Sequence, residues 1–183
     1  MKVLIACEFS GIVRDAFVAR GHRAWSCDLL PTERNGNHIQ RDVVEYLDMD
    51  WDLMIAHPPC TYIAVSGARW FHARKKEQEA ALLFVRTLMN APIPRICIEN
   101  PVSVISTHIR KPDQIIQPWM FGHPETKATC LWLKGLPILK PTNVVEGRQA
   151  RVHLESPSPD RWRNRSRTLQ GIADAMSDQW GEL

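Results

Sequence analysis

Paired cysteines are missing from this sequence. Its five cysteines, Cys7, Cys27, Cys60, Cys97 and Cys130, are odd in number and scattered. That excludes a disulfide framework and reads as a reduced, intracellular chain. No apolar leader opens it, because Glu8, Arg14 and Asp15 stand close to the N-terminus, and no signal segment is expected. No window approaches the apolar length of a membrane-spanning helix, so the expectation is a cytoplasmic protein with no membrane partner. Internal repeats and low-complexity tracts are absent. A large excess of one charge is absent too: the net charge of +3 is too small to announce a nucleic-acid partner by itself. His57 and Cys60 have ligand-like spacing, but no second close pair joins them, so no metal is expected.

What is present is enough for a core. The chain has 183 residues, 44% hydrophobic and 23% charged, the size and balance of one domain spanning 1–183. Val3-Leu4-Ile5-Ala6-Cys7 is an unbroken apolar run, as in a strand buried on both faces. After the Ser10-Gly11 turn, residues 12–20 show helical spacing through Val13, Ala16 and Phe17, stopped by Gly21. Strands are expected over 24–27, weakly over 38–42, over 52–57 and over 95–99. A helix is expected over 73–90, with Ala81, Leu82, Val85 and Leu88 on one face. This alternation predicts an α/β fold: an open, mostly parallel sheet with helices covering it. The second half is less regular. Residues 101–127 read as irregular, 128–133 as a strand, and 168–180 as a helix. Between them, residues 140–167 lose apolar content and gain arginines, which reads as an exposed basic loop.

In such sheets ligands sit beyond the carboxyl ends of the strands. The polar candidates all fall there: Glu8-Phe9-Ser10-Gly11, Asp28, Asp42, Pro58-Pro59-Cys60 and Glu99-Asn100. Gly11 would allow close approach of a ligand to the first turn. Asp28 can accept from both hydroxyls of a ribose, and Asp42 from an adenine amino group, as an adenosine-bearing cofactor would need. The plainer reading makes both solvated loop acids. Two prolines hold Cys60 on a stiff turn, and Glu99 ends a neighbouring strand.

The order Phe9-Ser10-Gly11, Asp28, Asp42, Pro58-Pro59-Cys60, Glu99-Asn100 and Arg165-Ser166-Arg167 resembles the cytosine-C5 DNA methyltransferases. The stretches 57–67, 126–137 and 157–181 are similar to the short phage and prophage proteins of that type. The resemblance implies a single Rossmann-like class I methyltransferase domain that binds S-adenosyl-L-methionine. Cys60 would be the nucleophile that attacks C6 of cytosine. Glu99 would hold or protonate N3 and the exocyclic amine. Arg165 or Arg167 would lie near the pyrimidine carbonyl. Phe9, Ser10, Gly11, Asp28, Asp42 and Pro58 would line the cofactor site. The substrate would be DNA, as a duplex with its base flipped or as a single strand. Arg148, Arg151, Arg161, Arg163 and Lys127 would contact it. The sequence departs from the family pattern where His57 replaces the glycine before Pro-Pro-Cys, where only Gly11 remains of the glycine-rich turn, and at Pro101. No segment between Ser103 and Thr168 is long enough for a target-recognition domain, so a specificity partner is one expectation.

Other readings stand beside these. Cys60 can be a packing cysteine, and Glu99 can cap a helix or pair with an arginine. The arginine stretch can be a solvated face, and residues 66–72 a plain surface loop rather than one that closes on substrate. At the level of function, a non-catalytic DNA-binding relative and a C5 methyltransferase for free pyrimidine nucleotides or RNA remain as alternatives. Cys7, Cys27, Cys97 and Cys130 are expected in the core.

Overall fold

The structure is a computed structural model that describes residues 1–183. The unbroken apolar runs become the middle of one sheet. Strands β1 (Lys2–Ala6), β2 (Arg23–Asp28), β3 (His38–Gln40), β4 (Leu53–Ala56) and β5 (Arg95–Pro101) run parallel. Strand β7 (Thr129–Lys134) lies antiparallel to β5, and β6 (Gln114–Ile116) closes that edge antiparallel to β7. The order β3-β2-β1-β4-β5-β7-β6 is that of the class I, Rossmann-like methyltransferase fold, in agreement with the expected fold class.

Alternate strand residues point to opposite faces, and each face has its own core. On one, Leu4, Ala6, Met54, Ala56, Ile96 and Ile98 meet Leu82, Val85 and Leu88 of α2 (Lys75–Met89). On the other, Val3, Ile5, Leu53, Ile55 and Cys97 meet Val13 and Phe17 of α1 (Ile12–Ala19). Ile172, Ala173, Met176 and Trp180 of α6 (Gln170–Trp180) complete that second core. The four central strands are buried from both sides, so truncating a residue such as Ile55 to alanine would cost about 2–5 kcal/mol.

Three expectations need correction. Residues 101–127 are not all irregular: they contain a one-turn α3 (Ile105–His108) and the edge strand β6. Three residues are too few to display a period of two. Within 140–167 lie two short helices, α4 (Arg151–Leu154) and α5 (Arg161–Ser166), and Val152 is buried. Cys7 is not a strand residue in the core: it follows β1 with a φ of 58°, in the left-handed region that L residues with side chains enter at some strain. It is only partly buried. Cys27, Cys97 and Cys130 are buried as expected.

Candidate active site

Register places the two strand tips side by side. Ala56, the last residue of β4, pairs with Ile98 of β5, so the chain leaves β4 at His57 level with Glu99. Nδ1 of His57 and Oε2 of Glu99 are 2.7 Å apart. One residue on, the Asn100 side-chain amide donates to the Pro58 carbonyl at 2.8 Å. The loops beyond are joined as well: Val65 N–H donates to Val102 O at 3.0 Å, and Val104 N–H to Ile63 O at 2.9 Å. The Pro58-Pro59-Cys60 turn is thus tied to the Glu99-Asn100 tip by side chain and backbone together. The Cys60 carbonyl accepts from the N–H groups of Ile63 and Ala64 at 3.1 and 2.9 Å, which starts a tight turn at the thiol.

Charge is concentrated here. The side chains of His57 and Glu99 are 10% and 12% exposed. Burial opposes the charge on each, but their hydrogen bond and mutual attraction prevail: His57 titrates above its usual value and Glu99 below. Of the two, the imidazole therefore holds a proton more firmly than the carboxylate does. The Cys60 thiol is pushed up, first by burial and then by the Glu99 carboxylate, while Lys127 and Arg165 pull it down. The Cys60 thiol, the Glu99 carboxylate and the cations of Lys127 and Arg165 thus lie close enough to act on one another. Arg167 stands elsewhere: its guanidinium grips Glu33 through Nη2 at 2.6 Å and Nε at 2.8 Å. Lys127, expected on phosphate, donates through Nζ to the carbonyls of Arg165 and Arg167 at 3.0 and 3.4 Å.

The residues expected around the cofactor lie at the ends of β1 to β3 with several duties of their own. Phe9 is buried, and the Trp162 ring of α5 lies 5.8 Å from it. Asp28 is half-buried, raised by that burial, and accepts from Leu30 N–H at 2.9 Å. Asp42 caps a short 3-10 turn by accepting from Val44 N–H at 3.0 Å. Gly11 has a φ of 73° at the start of α1. A Cβ there would come within 2.5 Å of the Arg14 guanidinium, so its close approach is to Arg14. The Ser10 hydroxyl donates to Glu8, which also accepts from Val13 N–H at 2.7 Å. A cavity of about 50 Å³ lies above this turn, lined by Cys7, Glu8, Phe9, Ser10, His57 and residues 166–168.

Four of the expected phosphate contacts have partners within the chain. Arg148 stacks 4.1 Å above the Trp119 ring. Arg151 pairs with the buried Glu125 at 2.9 Å. Arg161 donates to Glu155 O at 2.7 Å, and Arg163 lies 3.8 Å from Asp160. A larger hollow, about 490 Å³, sits at the other end of β5 and β7 against Arg86, Trp132 and Lys134. It lies far from the strand tips, and Lys134 and Arg110 there already bond backbone carbonyls.

Two residues of the site escaped the sequence reading. Arg14 is buried to 1% and donates to Ser26, Thr32 and the carbonyls of Arg34 and Asn35 at 3.1–3.3 Å, while Asp15 balances its charge at 2.7 Å. Its partners are loop atoms with no sequence signature. His57 stands out in the sequence as a departure from a glycine and as a ligand-like neighbour of Cys60, and neither points to Glu99. Its bond to Glu99 spans 42 positions, although the shared strand-tip location was a usable signal.

No family model and no curated protein matches the sequence. Among solved structures the chain is similar to one from E. coli, described as a candidate DNA modification methyltransferase encoded within a prophage. The identity is 16% and the TM-score 0.50, over 86% of this chain and 56% of that one. The likeness is one of fold, and the chain spans little more than half the length of that structure. No helix is long and apolar enough to cross a membrane.

Proposed function

We propose that this protein transfers a methyl group from S-adenosyl-L-methionine to C5 of cytosine in DNA. The observation that carries the reading is the tie between the Cys60 turn and the Glu99 tip, which brings a thiol and a carboxylate close enough to act on one another. C5 of cytosine is a poor nucleophile. A bond from the Cys60 thiolate to C6 would move the ring's π pair toward C5 and N3; once C5 carried the methyl and S-adenosyl-L-homocysteine had left, loss of the C5 proton to a water base with cleavage of the C6–S bond would restore the ring and free the thiolate. Glu99, with Oε2 held by His57, keeps Oε1 for the exocyclic amine, and the proton on His57 is at hand to balance charge at N3. Arg165, which lowers the thiol's titration, is the cation for the pyrimidine carbonyl. The description of the similar prophage structure supports DNA as substrate.

The residues suit the cofactor. The orphaned Nε2 of His57 and the half-buried Asp28 offer polar groups at the strand ends, with Phe9, Ser10, Gly11, Asp42 and Pro58 around them. When bound, S-adenosyl-L-methionine supplies an electrophilic methyl. Ligand sites usually enclose some 300–1,000 Å³, so a cavity of about 50 Å³ takes one end of such a molecule, and α5 must shift from Phe9 to admit the rest.

DNA would reach the thiol along residues 61–76. This stretch holds Arg69, Arg74, Lys75 and Lys76 and no acid, with Tyr62 and Trp70 exposed at 36% and 52%. Rings interleaved with cations suit unstacked bases, hence a flipped base or a single strand. Arg148, Arg151, Arg161 and Arg163 would lie at the margin of that contact, and a partner protein would supply sequence choice.

The narrow cavity and the raised Cys60 thiol favour a second reading, a DNA-binding relative without catalysis. Mass spectrometry of nucleosides from DNA of cells expressing the protein separates the two. 5-Methylcytosine that disappears with Cys60→Ala supports the enzyme. Salt-sensitive DNA binding with no new nucleoside supports the binder, and label transfer to free nucleotides or RNA would redirect the substrate.

A further inference from the structure

The larger hollow, of about 490 Å³, takes no part in the proposed chemistry. Its volume falls in the range of small-molecule sites, roughly 300–1,000 Å³. It opens where α2 ends, beside the start of β5 and the end of β7. Pairing sets Ile96 opposite Lys134 and Ile98 opposite Trp132, so all four share one face of the sheet. Ile96, Ile98 and Trp132 are buried and form an apolar floor, with Met89 and Ile109 as walls. The one polar side-chain atom of that floor, Nε1 of Trp132, already donates to the Arg110 carbonyl at 2.8 Å. The floor therefore offers a ligand apolar and π surface alone.

The rim is charged. Arg86, Arg110 and Lys134 stand on it against a single acid, Asp113. Arg110 pairs with that acid at 2.7 Å. Burial opposes the Asp113 charge, but the Leu133 N–H and Arg110 hold its carboxyl below the usual range, so these two charges cancel. Arg86 and Lys134 meet no carboxylate. Arg86 donates to the His108 carbonyl, and Lys134 to the Ala91 carbonyl at 3.0 Å. A carbonyl fixes a cation without neutralising it. Two positive charges are thus held on one rim with donors to spare, and little side-chain freedom is left to lose on binding. A carboxylate would answer one of them. A phosphate monoester carries about 1.5 to 2 negative charges at neutral pH and offers three acceptor oxygens, which match an arginine fork and an ammonium. Asn90 is exposed on the same rim, and its amide has the donor and acceptor that the edge of a base requires.

We propose that this hollow is a second binding site, for a nucleoside monophosphate, with the base on the floor of Ile96, Ile98 and Trp132 and the phosphate between Arg86 and Lys134. A free nucleotide and the 5′-phosphorylated end of a DNA strand bring the same chemistry to it. The site shares no residue with the Cys60 turn, and the inference does not rest on the methyltransferase reading.

Nitrogen-15 spectra of the whole chain test it, with the Trp132 indole N–H as the local reporter. Titration with dCMP is expected to move that resonance to saturation. Deoxycytidine, which lacks the phosphate, and deoxyribose 5-phosphate, which lacks the base, are each expected to bind at least about tenfold more weakly. This comparison needs only the wild type. Arg86→Gln/Lys134→Gln changes two exposed side chains and is expected to weaken dCMP by about tenfold or more. A short 5′-phosphorylated oligonucleotide that moves the indole, where its unphosphorylated form does not, supports the proposal with a strand end as the source. A shift with dCMP alone supports it with a free nucleotide. A Trp132 resonance that dCMP leaves in place, equal binding of dCMP and deoxycytidine, or a folded double variant that binds as the wild type does would each overturn it.

Discussion

Two basic stretches of this molecule look alike in composition and differ in what their cations do. Residues 148–167 hold six arginines, but acids lie among and beside them, and Arg148, Arg151, Arg161, Arg163 and Arg167 all meet rings, carboxylates or carbonyls of the chain itself. Residues 61–76 hold four cations and no acid. None of the four enters an ion pair. Arg74 instead lies 5.7 Å from the Tyr62 ring and 5.9 Å from that of Trp70, and Arg69 lies 5.2 Å from Trp70. The first stretch spends much of its charge on contacts within the chain, and the second keeps its four cations outside any ion pair. Counting arginines along a sequence does not separate the two stretches, because what differs is the supply of acids within reach.

The sharpest division between the stretches is chemical. Cys60→Ala, at the head of the second, is expected to lower label transfer from S-adenosyl-L-methionine to DNA about a thousandfold or more. Arg148→Ala is expected to leave the rate per bound DNA unchanged. Comparable losses from both would erase the distinction. Trp70→Ala is next in size, expected to weaken single-stranded DNA binding by about 1–3 kcal/mol. Arg74→Ala should make the salt dependence shallower by about 0.7 in log–log slope, as read by fluorescence anisotropy at several salt concentrations. Stability reverses the order: Arg151→Ala strands the buried Glu125 carboxylate and is expected to cost about 1–3 kcal/mol in denaturant unfolding. Arg74→Ala should stay within about 0.5 kcal/mol.

The smaller effects concern titration at the tip. Because the Glu99 carboxylate raises the Cys60 thiol and Lys127 lowers it, Glu99→Gln is expected to speed alkylation of Cys60 by iodoacetamide at pH 8, and Lys127→Met to slow it, each severalfold. Alkylation of the wild type should still be rising at pH 9, the ordinary thiol value. His57 is raised in the fold, so its stabilising share is complete below pH 6.5 and lost as pH climbs through the folded value. Glu99 is lowered, so its share is complete above pH 4.5 and lost as pH falls through the folded value. The stability difference between wild type and His57→Gln/Glu99→Gln should peak between about pH 4.5 and 6.5, and a flat difference from pH 3 to 9 would show that the pair is not ionised.

The central strands were legible because burial on both faces leaves an unbroken apolar run, as at Val3–Ala6 and Leu53–Ala56, and α2 and α6 because one face of each is apolar. β6 and α3 were not, since so few residues show no period. In the site, Cys60 and Glu99 were readable as strand-tip residues. The pairing of His57 with Glu99, the left-handed turn at Cys7 and the burial of Arg14 were not, because each depends on atoms brought together by the fold and not on local spacing.

Arg14 shows how far such a hidden contact reaches. Its guanidinium fastens the loop through the carbonyls of Arg34 and Asn35, and a Cβ at either Gly11 or Gly36 would press into the space it occupies. The same loop presents Glu33, and Glu33 clasps Arg167 on the rim of the cavity. The rim is thus anchored from below by a cation that no solute can touch, and a change at Arg14 would loosen the entrance without altering a single residue that lines it.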